Sequence, residues 1–116
     1  MAINRYYSAI AQDTTLTSPI SNSTTSIVVG ATTGFPSSFP FTLAIDYNTS
    51  SEELVDVTNI AGLTLTVNRH VDGTTAVSHA AGAVIRHVIS ARDMTEIQTY
   101  MANNDIGSAA FLLMGA

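Results

Sequence analysis

The chain has 116 residues, 46% of them hydrophobic, which suits one domain with a real core. Only 11% are charged, less than half the usual share of about 25%; lysine is absent, and nine acids against four arginines give a net charge of −5, which excludes the clustered positive charge of a nucleic-acid binder. The absence of cysteine excludes disulfides and thiolate metal sites, and no apolar run approaches the roughly 20 residues of a membrane-spanning helix.

Residues 1–13 read as an N-terminal arm, with Tyr6, Tyr7 and Ile10 as a weak apolar cluster. The segment "MAINRYYSAIAQD" lacks the uninterrupted apolar centre of a signal peptide, so synthesis in the cytoplasm is expected. From Thr14 the composition favours strands, because Thr and Val suit a pleated surface. "TTLTS" is stopped by Pro19, and "TTSIVVG" is a β-branched run closed by Gly30. "TTGFPSSFPF" is a loop whose Phe35 and Phe39 are expected to fold back onto the core. "FTLAIDY" alternates, with Phe41, Leu43 and Ile45 on one face and Thr42, Ala44 and Asp46 on the other.

Glu53 to Ile60 and Leu63 to Arg69 alternate again around the pair Ala61-Gly62 and predict a β-hairpin, with Leu63, Leu65 and Val67 inward. "AVIRHVI", from Ala83 to Ile89, is the last predicted strand. The period then changes. Ser90 with Asp93 is a capping-box arrangement, and Met94, Ile97, Tyr100 and Met101 follow at helical spacing, predicting a helix over 91–103. Asp93 and Glu96 stand in its first turns, where the helix dipole favours negative charge. The expected organisation is an arm at 1–13, a β domain at 14–90, and a C-terminal helix and apolar tail at 91–116. The fold class is mainly β: a small antiparallel β-barrel or sandwich followed by one helix.

Between Asn68 and His87 the stretch "NRHVDGTTAVSHAAGAVIRH" gathers all three histidines, Asp72 and two arginines. As zinc ligands, His70, Asp72, His79 and His87 have spacings that match no short metal motif, and the cation Arg86 beside His87 opposes one. Ser78 and His79 are adjacent, so on a strand they point to opposite faces and do not form a nucleophile–base pair. Glu52-Glu53 sits in a polar turn and reads as a solvated rim. No catalytic, cofactor-binding or metal-binding residue is assigned, and the chain is not expected to be an enzyme. The structural reading is preferred. Asp72-Gly73 is a turn pair suited to the left-handed region, His79 is expected to tie the long connection down through its ring, and Arg69 to pair with Asp72 across the turn.

The run "VGATTGFPSSFPFTLAID", followed by "EELVDVTNIAGLTLTVNRHVDGTTAVSHAAGAVIRHVISARD", resembles a small β module of tailed-bacteriophage virion proteins. The resemblance covers about residues 26–93 and rests on Gly34-Phe35-Pro36, Asp46, Glu53, Gly62, Arg69, Asp72-Gly73-Thr74, Ala76, His79 and Gly82. It departs from the pattern at His70, where the family commonly has glycine. The resemblance implies a structural role in the virion and no chemistry. Such modules occur as capsid decoration proteins and as amino-terminal domains of tail fibre, adaptor or baseplate proteins. A chain that is little more than the module is expected to be a decoration subunit bound to the major capsid protein, with a tail partner as the alternative. The apolar run Phe111, Leu112, Leu113 and Met114 either folds back on its own domain or seats on a partner. With Tyr6 and Tyr7 it supplies the expected partner-binding residues, and the chain is expected to form a homotrimer. A carbohydrate-binding module is disfavoured by the absence of tryptophan.

Overall fold

The computed structural model describes the backbone of residues 5–103 and the side chains of residues 5–99. Six strands and one helix follow in chain order: β1 (Thr14–Thr15), β2 (Ser26–Val28), β3 (Phe41–Ile45), β4 (Glu53–Ala61), β5 (Thr64–Asn68), β6 (Val84–His87) and α1 (Ala91–Asn103). All neighbours are antiparallel, and the sheet order is β1-β6-β3-β4-β5-β2. The expected barrel or sandwich is a single sheet curled into a half-barrel. Its two end strands meet at a bridge between Leu16 and Val29, where Gly30 N–H donates to the Thr15 carbonyl at 3.0 Å.

Alternation places the core. Phe41, Leu43 and Ile45 pair across with Val57, Val55 and Glu53, and all six side chains are on the inner face. Leu65, Val67, Ile27, Val29, Ile85, Leu16 and Ile20 complete it, with Phe35 and Phe39 packed against it as the loop reading expected. Full burial of each such aliphatic or aromatic side chain contributes about 1.5–3 kcal/mol. Leu63 departs from expectation. The β4–β5 turn falls at Gly62-Leu63, one residue later than predicted, so Leu63 turns outward and only Leu65 and Val67 are buried. A bulge between Val57 and Asn59 resets the register of the hairpin.

The outer face of β3 is also covered. Thr42 is fully buried and donates to Asp56 across the strand pair at 2.9 Å, and Arg92 from the start of α1 closes over both. The described part of the arm is stitched to the loop between β2 and β3 rather than free. Tyr6 N–H donates to the Pro40 carbonyl at 2.8 Å, the Ser8 hydroxyl to the Gly34 carbonyl at 2.6 Å, and Gln12 N–H to the Thr33 carbonyl at 2.9 Å. Gly34 has φ +77°, and a Cβ there would stand 2.1 Å from the Ile10 carbonyl oxygen, so only glycine allows the arm to lie this close.

The capping box forms with one change. The Asp93 carboxylate accepts from Ser90 N–H at 2.8 Å, reaching back as expected. The Ser90 hydroxyl also donates to that carboxylate, at 3.1 Å, instead of accepting from a backbone amide. The helix then inverts the usual arrangement. Its polar residues Arg92 and Asp93 face the domain, while Met94 and Ile97, from the predicted apolar stripe, are half exposed.

Candidate functional site

The 70–83 connection between β5 and β6 is held by a buried polar cluster at one end of the curled sheet. Its centre is Glu53. Glu53 shares the inner face with Val55 and Val57, and Arg69 continues the inward phase of Leu65 and Val67, so sheet register alone brings the two side chains together. Glu53 is 0% exposed, and its carboxylate receives a bidentate pair from Arg69, Nε at 2.7 Å and Nη2 at 2.8 Å. The backbone N–H of His70 and of Val77 donate to it at 3.1 and 3.2 Å. His79 Nε2 lies 2.9 Å from the same carboxylate, and His79 Nδ1 lies 2.6 Å from Asp46. Both ring contacts are hydrogen bonds when the imidazole carries both protons.

Arg69 then spreads outward, donating to the carbonyls of Ser21, Thr24 and Val77 at 2.7–2.8 Å. His79 is pinned through its backbone too, exchanging hydrogen bonds with Ile20 at 2.9 and 3.1 Å. Burial on its own would raise the Glu53 pKa. The bonds from Arg69, His79 and the two amides outweigh it and hold the carboxyl down at about 2. Every strong acceptor position on Glu53 is occupied by a group of its own chain. The arrangement fastens a long connection and leaves no vacant position for a substrate.

The structure therefore corrects two expectations. Arg69 does not pair with Asp72 three residues on; it pairs with Glu53 on the neighbouring strand. Asp72 instead accepts from Arg92 N–H at 2.9 Å, meeting an unpaired amide in the first turn of α1. Glu52-Glu53 is not a solvated rim. Glu52 accepts from Asn48 N–H at 2.9 Å in the turn, and Glu53 is the most deeply buried acid of the described residues. The alternation of Glu53 with Val55 and Val57 was the signal for it.

The ring of His79 ties the connection down as expected, through two carboxylates. Asp72 and Gly73 both take the left-handed region, with φ +53° and +78°, as the turn chemistry required. His70 does the same with φ +46°, at the position where the resembled family has glycine. The three histidines do not converge. His70 is exposed, and His87 lies against the arm, its Nε2 accepting from Ser8 N–H at 3.1 Å and its Nδ1 donating to the Thr42 carbonyl at 2.8 Å.

A second cluster joins the arm to the helix. Arg5 is buried and pairs with Asp93 and Glu96, and the Tyr7 hydroxyl donates to Asp93 at 2.9 Å. Burial opposes ionisation of Asp93, but Ser90 N–H, Arg5 and Tyr7 together hold its carboxyl below the ordinary value. Burial and the adjoining Asp93 push the Tyr7 phenol up. Tyr7 remains 49% exposed, and Tyr6 is half-buried beside an open cleft between the arm and the Gly34–Ser38 loop. Phe111, Leu112, Leu113 and Met114 lie outside the described residues.

No protein-family model matches the chain, and no curated protein matches it.

Proposed function

We propose that this chain is a structural subunit of a tailed-bacteriophage particle, a homotrimeric capsid decoration protein that binds the major capsid protein and does no chemistry. The observation that carries the reading is the buried network of Asp46, Glu53, Arg69 and His79. All four are among the positions on which the resemblance to the virion β module rests, they come from separate segments of the sequence, and they meet in one frame. A motif whose members lock the fold fits a module kept for its shape. The same module precedes tail fibres and baseplate parts, so a tail location is the competing placement.

The test is the copy number of this chain in purified particles made from a genome that carries its gene, measured by quantitative mass spectrometry. Hundreds of copies, together with heads that lose heat resistance when the gene is deleted, support decoration of the capsid. A few copies that partition with isolated tails support the tail placement and overturn the capsid one. Absence from the particle overturns both.

A further inference from the structure

We propose that α1 is the assembly element of this protein: its apolar stripe packs against the same stripe of two further copies of the chain, the three helices running parallel. The stripe is Met94 and Ile97, 52% and 51% exposed, flanked by Ile89 at 63% just before the helix. A surface helix ordinarily turns such a stripe inward and its charges outward. Here the charges are turned inward. Arg92 is bound by Asp56 and Thr42, Asp93 by Arg5, Tyr7 and Ser90, and Glu96 by Arg5. The helix is held to the domain by polar groups of its first turns.

Three features select further copies of this chain as the occupant. Met94 and Ile97 are three apart, and Met101 follows four later in the sequence, the 3–4 spacing of a coiled-coil seam. In that spacing Ile97 takes the second core position, where a β-branched side chain disfavours two strands and favours three or four. The third feature is charge. All charged side chains of the helix have partners in their own chain; of the positions that flank the stripe, Gln98 is neutral and Asp93 is buried and paired with Arg5. For a chain of net charge −5, this is a face on which identical copies meet without like-charge repulsion.

The inference rests on the reading of the chain as a self-assembling structural subunit, but its test needs no phage particle. Sedimentation velocity of the purified full chain at micromolar concentration is expected to give a trimer. Ile97→Lys and Ile97→Glu, each on the exposed stripe, are expected to give the mass of a single chain with the β circular dichroism retained. An equimolar mixture of the two is expected to associate again, because opposite charges then meet in one seam. A wild-type monomer, or a trimer unaffected by either substitution, overturns the assignment. A monomer that loses stability on Ile97→Lys also overturns it and identifies the chain's own C-terminal segment as the cover. Failure of the phage reading leaves all these outcomes unchanged.

Discussion

Replacing Glu53 with glutamine preserves shape and one acceptor oxygen while removing the charge that Arg69 and His79 face. Two independent lines give the size of the effect. A carboxyl held at about 2 rather than 4.5 corresponds to about 3 kcal/mol of stability at neutral pH. Removing one member of a buried ion pair typically costs about 3–5 kcal/mol, because the remaining charge is left without compensation. Against a typical stability of about 5–15 kcal/mol, a loss of about 3–5 kcal/mol lowers the folded-to-unfolded ratio of Glu53→Gln between about a hundredfold and a few thousandfold. It also lowers the thermal midpoint by on the order of 10–20 °C.

The assay is urea unfolding followed by β circular dichroism at fixed protein concentration, because association couples to stability. The internal control is Arg86→Gln, which breaks the exposed pair with Asp13 and is expected to leave the midpoint unchanged. The pH profile carries a sign. Glu53 has a depressed folded pKa, so its contribution is complete above 4.5 and is lost as pH falls from there toward about 2. The gap between wild type and Glu53→Gln should therefore close over that window. A loss below about 1 kcal/mol at neutral pH, in the range of an exposed pair, would refute the view that this network fastens the fold.

Three further outcomes follow from the same structure. Gly34→Ala places a methyl group against the Ile10 carbonyl at a left-handed position; a cost of about 2 kcal/mol and faster tryptic cleavage after Arg5 are expected, as the arm lifts. Asp93→Asn weakens the Arg5, Tyr7 and Ser90 bonds; hydrogen exchange of the α1 amides should quicken while the strands stay protected. The wild-type helix anchor should weaken as pH falls below 3.8, the ordinary value from which Asp93 is lowered. His70→Gly relieves a left-handed non-glycine residue and is expected to leave the unfolding free energy measured in urea unchanged or raise it by up to about 1 kcal/mol. Asn68→Gly in β5 should lower it by about 0.5–1 kcal/mol.

Local chemistry was legible in the sequence because it acts over a few residues. The turn at Asp72-Gly73, the reach of Asp93 back to Ser90, the helix at 91–103 and the inward phases of β3 and β5 all follow from dihedral preference or a repeat of two or 3.6. The candidate cluster was half legible. The sequence identifies His79 as the tie, but the nearest acid it offers Arg69 is Asp72. The partner of Arg69, Glu53, is 16 residues back and became adjacent only through the pairing of β4 with β5. Likewise, spacing marked Met94 and Ile97 as one stripe, but only the tertiary structure turned that stripe outward, by giving Arg92, Asp93 and Glu96 partners on the domain. A periodic pattern fixes which side chains share a face. What stands opposite that face depends on register and on contacts between distant segments, and no window of the sequence contains those.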